Sequence, residues 1–239
     1  MYWLNINAFF GIVSVWKAIK GMVELSVGSE LVLEAIAESI RREPVLMDQV
    51  PGLIARYSAE YARKKFNLDV EAETLEELWK RLAEVGVEHP EVAAVYGICK
   101  AESTIIGAVG VMSRRIAKGI PKVIIEKTGL TEHLEGAKDL YDVLTRYKSI
   151  LVGIGHMKEE EMTITDRGDN EVELKLENCF FADACTSLNE EGVYYILGSI
   201  PCAGALVFAG VGESILERSF DVRVGDYRPP NCRVKIFEL

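Results

Sequence analysis

The chain has 239 residues, of which 49% are hydrophobic, enough apolar mass for a substantial core without disulfide staples. Its 27 basic and 37 acidic side chains give a formal charge of −10, which repels a phosphate backbone, and no stretch interleaves Lys or Arg with aromatics, so no nucleic-acid partner is expected. Five cysteines, an odd number with no CxxC spacing, do not form a secreted disulfide framework, and a reducing cytoplasm is the expected location.

From the start, Met1 to Trp16 is apolar but has no basic n-region, so it is expected to pack on the body rather than act as a signal peptide. Ser29 is placed to cap a helix reaching Arg42, with Leu31, Ala35, Ile36, Ser39 and Ile40 at helical spacing. A second helix is predicted over Met47 to Phe66, with Pro51 in its first turn, where a missing N–H costs least. Thr74 and Glu77 make a capping-box signature ahead of Leu75, Leu78, Trp79 and Leu82, and Gly86 closes that helix. Pro90 to Lys118 reads as one long helix, in which Gly97, Ala101, Gly107, Ala108 and Gly110 allow close approach of neighbours or leave room for a ligand. Two more helices are expected, over Pro121 to Lys127 and Thr131 to Lys148.

The hydrophobic period then changes. Ser149 to Met157 reads as a β-type run, and Met162 to Asp166 alternates up to turn chemistry in Arg167-Gly-Asp-Asn170. Glu171 to Leu176 follows as a half-buried strand with Val172, Leu174 and Leu176 on one face. The uncharged run Gly192 to Gly212 is long enough to span a bilayer, but it holds Pro201 and five glycines between Glu191 and Glu213, so a buried element is expected and no membrane span. Within it, Pro201 opens a helix to Leu216; strands follow over Ser219 to Val224 and Arg233 to Leu239, with Gly225-Asp226 in their connection. The expected fold is α+β: a mainly helical region over residues 1–149, packed on an antiparallel sheet of β-β-α-β-β order over residues 150–239, as one compact body.

Four cysteines, Cys179, Cys185, Cys202 and Cys232, crowd toward the end of the chain, within residues 150–239, with His156, Glu213 and Glu217. Zinc prefers four tetrahedral S, N or O ligands; Cys202 and Cys232 are the leading candidates, with Glu217 third and Cys179 or Cys185 fourth. Inert core thiols are the alternative reading of the same residues. Cys202, at a helix start, is also the best candidate catalytic nucleophile, because a helix N-terminus favours thiolate, and His156 is a candidate partner on a strand end. His89 and His133 have no evident partner, and GxSxG, P-loop, HExxH and GxGxxG signatures do not occur.

The end of the chain resembles the 4-vinyl reductase, or hydrocarbon-binding, domain family. The resemblance is carried by Leu174 to Cys179, by Cys202-Ala-Gly-Ala-Leu-Val-Phe-Ala-Gly210, by Glu217, and by Gly225-Asp226 ahead of Cys232-Arg-Val-Lys-Ile236. Phe220 stands where that family usually has its middle Cys, and the loop after Asp226 is longer. The resemblance implies an α+β fold shared with haem nitric-oxide-binding domains and TRAPP subunits, enclosing an apolar cavity for a small hydrophobic ligand. It also implies a zinc site in some members. Ile105, Val109 and Met112 in one segment, and Leu206 and Phe208 in another, are then the candidate ligand-binding residues.

Three functions are compatible with these features: a ligand-binding or sensor-type protein, a thiol- or zinc-dependent enzyme using Cys202, and a structural or assembly subunit. A homodimer is expected from the surplus of apolar helix faces, through Leu53, Ile54 and Tyr57 on one helix and Ile105, Val109 and Met112 on another.

Overall fold

The structure, a computed structural model, describes residues 26–43, 49–70 and 74–239. The expected contacts of Met1 to Trp16 and the expected helix start at Met47 lie outside them. The described chain is α+β, with a helical first part and strands toward the carboxy terminus.

Helix α1 (Ser26–Arg41) places Ser29 inside the helix rather than at its cap. Helix α2 (Val50–Phe66) carries Pro51 in its first turn and ends on Asn67 in the left-handed conformation. Helix α3 (Leu75–Glu84) is capped as expected, with the Glu77 N–H donating to Thr74 Oγ1 at 3.1 Å, and Gly86 follows at φ +76°.

The long helix expected from Pro90 to Lys118 is two helices. Helix α4 (Glu91–Ile106) stops at Gly107, whose φ of +79° suits a residue without a Cβ, and helix α5 (Met112–Thr128) begins five residues later. The side chain of Glu102, fully buried, accepts the N–H groups of Val111, Met112 and Ser113 at 2.6, 2.6 and 3.0 Å. It thereby satisfies donors that a new helix leaves unpaired. Helix α5 then continues through Pro121, where a separate helix was expected to start.

Beyond it the expected Thr131–Lys148 helix is also divided. A short α6 (Thr131–Leu134) is followed by α7 (Leu140–Gly153), whose N-cap Asp139 accepts from the Asp142 N–H at 2.8 Å. Helix α7 absorbs most of the run read as β-type, Ser149 to Met157. Its Leu140, Val143, Leu144 and Tyr147 are buried at helical spacing, and that periodicity overrides the β-branched Ile150 and Val152.

The sheet is antiparallel throughout, in the order β1-β2-β4-β3. Strands β1 (Met162–Gly168) and β2 (Glu171–Leu176) form the expected hairpin. Between the hairpins lies the expected helix, here α9 (Ala203–Leu216), preceded by an unexpected α8 (Ala182–Glu190). Strand β3 (Phe220–Arg228) runs through Gly225-Asp226 as a bulge, so the true connection to β4 (Asn231–Glu238) is Pro229-Pro230.

Cross-strand rows such as Val172, Ile236 and Val222 bury one sheet face under α7 and α9. The other face carries charges, with Lys235 on Glu171 at 2.6 Å and Arg167 on Glu173 at 2.9 Å.

Buried side chains form two clusters. One joins α1 to α4 and α8; the other joins α6, α7, α9 and the sheet. Helix α5 serves both, with Ile116, Ile120 and Ile124 in the first and Ala117 and Ile125 in the second. Its crossing with α9 is close. A Cβ on Gly210 would lie 2.3 Å from the Lys118 carbonyl oxygen and 2.8 Å from Pro121 Cγ.

Candidate functional site

Between the two clusters, the described residues enclose a cavity of about 710 Å³. Well-packed interiors contain few voids larger than a water molecule, and this space falls within the roughly 300–1,000 Å³ of ligand pockets. One wall is Ile36 of α1 with Ile98 of α4. Helix α5 contributes Ile116, Ile120 and Ile124, and the facing wall is Tyr147, Leu206, Phe208 and Leu176 from α7, α9 and β2. The exposed residues Lys127, Gly129 and Glu132 stand at the rim.

Polar groups gather around Phe180, in the loop after β2. The His89 ring stacks on Phe180 at 4.4 Å between centroids, and His156 meets it edge-on at 6.1 Å. His89 Nδ1 lies 3.1 Å from Glu91 Oε1, and this hydrogen bond raises the histidine's pKa above its ordinary value of 6.5. His156, nearest in charge to Glu91, His89 and Glu161, is driven the other way by burial. Glu91, His156, Glu161 and Phe180 all line the cavity. No reading of the sequence marked Glu91; the available signal was His89-Pro-Glu91 at a helix start, which places an acid two residues from an imidazole.

Of the candidate ligand-binding residues, Leu206 and Phe208 line the cavity. Ile105, Val109 and Met112 do not: Ile105 is exposed at the end of α4, while Val109 and Met112 are buried in the helical core. Of the residues nominated for a dimer contact, Ile105 is exposed and Leu53 is half-buried. Ile54, Tyr57, Val109 and Met112 pack inside their own chain.

The four carboxy-terminal cysteines do converge, around a second cavity of only about 20 Å³ whose other walls are mainly apolar. Cys179 is held there by its N–H, which donates to the Pro230 carbonyl at 3.0 Å. Cys202 is the N-cap of α9, yet its thiol is not acidified. Burial pushes it up to about 12, outweighing the favourable Gly204 and Ala205 N–H groups. Burial likewise raises Cys99, Cys179, Cys185 and Cys232. The expected activation of Cys202 is thus reversed, and His156 lies on the large cavity while Cys202 lies on the small one.

Zinc does not fit these residues. Glu217 caps the opposite end of the 14-residue α9 from Cys202, about 22 Å away at roughly 1.5 Å per residue. Glu213 is engaged instead with Lys118 Nζ at 2.8 Å and the Phe220 N–H at 3.0 Å. Phe220 fills the sheet core. Among the described residues, no three His, Cys, Asp or Glu side chains are placed to hold a metal ion, and no helix is long and apolar enough to cross a membrane.

No family model matches the chain, and no curated protein matches it.

Proposed function

We propose that the chain is a cytoplasmic ligand-binding or sensor-type protein that holds a small hydrophobic molecule between its two cores. The carrying observation is the 710 Å³ cavity itself, walled by isoleucines, leucines and aromatics from five helices and the sheet. A space of this size left without an occupant forfeits dispersion contacts on every wall. The sequence resemblance to hydrocarbon-binding domains points to the same class of ligand. Solvent extraction of the purified protein, followed by mass spectrometry, is expected to release an apolar molecule in near-stoichiometric amount. A fluorescent apolar probe should bind the extracted protein saturably, and Leu206→Trp should weaken it about tenfold or more by filling the space. An extracted protein that neither carried a ligand nor bound the probe would falsify the reading.

A structural or assembly role, including the homodimer, is favoured by a separate observation. Ile105, Ile106, Val111, Tyr194, Ile196 and Leu197 are all exposed, Leu197 by 58%. Their two segments are joined by the bridge between Val109 and Tyr195, with Ile196 N–H on the Val109 carbonyl at 3.0 Å. Such a patch suits a second copy of the chain. Light scattering should return twice the 26.6 kDa chain mass, falling to one chain in Leu197→Glu; a wild-type monomer removes this role.

A further inference from the structure

The cavity's polar groups differ in kind from those of a pocket built for acids. Glu91 opens α4 at the cavity wall and is only 2% exposed. Its Oε1 is engaged by His89, but its Oε2 is buried with no hydrogen-bond partner. A buried acceptor left unpaired is costly, and more so when charged, so this oxygen calls for a donor. The neighbouring groups do not supply one. His89 already spends Nδ1 on Oε1, with its ring held flat against Phe180. His156, its pKa lowered by burial, favours its neutral form. The one Lys or Arg lining the cavity among the described residues is Lys127, at the exposed rim and paired with Glu34. A carboxylate head at this end would meet Glu91 and Glu161, and the one imidazole whose protonated form is favoured, His89, already has its Nδ1 on Glu91.

We propose that the cavity selects apolar molecules with a hydrogen-bond-donating head, a hydroxyl or a primary ammonium, whose proton is accepted by Glu91 Oε2, and that it rejects apolar carboxylates. The inference rests on the cavity's being a ligand site and adds the polarity of the head group. Phe180 and His156 line the cavity with Glu91, and its isoleucine-lined walls would take the apolar body.

The test is competition by decan-1-ol, decylamine and decanoate against N-phenyl-1-naphthylamine bound to the full chain at neutral pH. The alcohol and the amine are expected to displace the probe at concentrations at least about tenfold below decanoate, the equivalent of one well-formed hydrogen bond to a charged group. Glu91→Gln keeps an acceptor but removes the charge. It should weaken decylamine about tenfold, leave decanol within about threefold, and narrow the gap to decanoate. Decanoate competing as well as the other two in the wild-type protein overturns the head-group inference while the cavity reading stands. Failure of the probe to bind saturably overturns both. The wild-type comparison needs no variant, so a misfolded Glu91→Gln does not rescue the proposal.

Discussion

Glu102 illustrates how one side chain can decide where a helix begins. Its partners are nine to eleven residues further along the chain, outside any local capping signature, so nothing in the sequence distinguishes it from a surface glutamate. Glu102→Ala should lower stability by about 3 kcal/mol, since it strands three N–H groups, two of them buried, and Glu102→Gln should recover part of that; urea unfolding monitored by circular dichroism measures both. The histidines at Phe180 make a second residue-scale case. His156 has its pKa lowered by burial, so the folded protein binds fewer protons than the unfolded chain: its contribution is complete above pH 6.5 and is lost as pH falls toward its folded value. His89 is raised by Glu91, with Glu88 and Glu161 adding to the effect. Its contribution is complete below pH 6.5 and is lost as pH rises through its folded value. Stability attributable to the pair should peak near pH 6.5, with the acid limb abolished in His156→Asn and the alkaline limb in His89→Gln. Urea midpoints across pH 5 to 9 test it; an unchanged acid limb in His156→Asn contradicts the assignment.

At the level of elements, strands were legible where one face stays wet. Glu171 to Leu176 alternates because its charges face solvent while Val172, Leu174 and Leu176 face α7 and α9. The helices were legible as helices but not in their ends. The break at Gly107 depends on Glu102, and the continuation through Pro121 depends on α9 packing against that same turn. Small residues separate into two physical roles. Gly107 supplies a left-handed terminus, whereas Gly210 supplies proximity between α9 and α5. Gly210→Ala should cost about 1–3 kcal/mol, because the added methyl collides with backbone. Gly52→Ala, in the first turn of α2 with nothing within 4 Å of the new methyl, should gain about 0.5–1 kcal/mol. Equal effects of the two substitutions in urea unfolding would show that the crossing relaxes freely.

The molecule as a whole explains why its site was only partly visible in the sequence. Leu206 and Phe208 could be nominated because they belong to an uncharged segment with helical spacing, but the cavity is made by the separation of two cores, a property of no single segment. Glu91, His156 and Phe180 come together from α4, the turn after α7 and the loop after β2, and only the packing of those elements creates their shared neighbourhood. The cysteines show the reverse. Their grouping toward the end of the chain was legible, although Cys185 lies on the unexpected α8, whereas the raised pKa of Cys202 was not, because burial at the start of α9 outweighs the helix terminus.

Helix α5 is a party wall, shared by two hydrophobic clusters that otherwise meet across an open space. Without an occupant, each side can open with little loss to the other, so backbone amides in α1 and in β2 should exchange with deuterium by separate events of unequal free energy. A molecule seated against Ile36 and Leu206 at once touches both sides, and opening either one then releases it. Saturation with such a ligand should slow exchange in α1 and β2 by the same factor, set by the ligand concentration over its dissociation constant. Occupancy would in that way turn two loosely joined halves into a single cooperative unit, giving a hydrophobic signal a mechanical reading at the far face of the sheet.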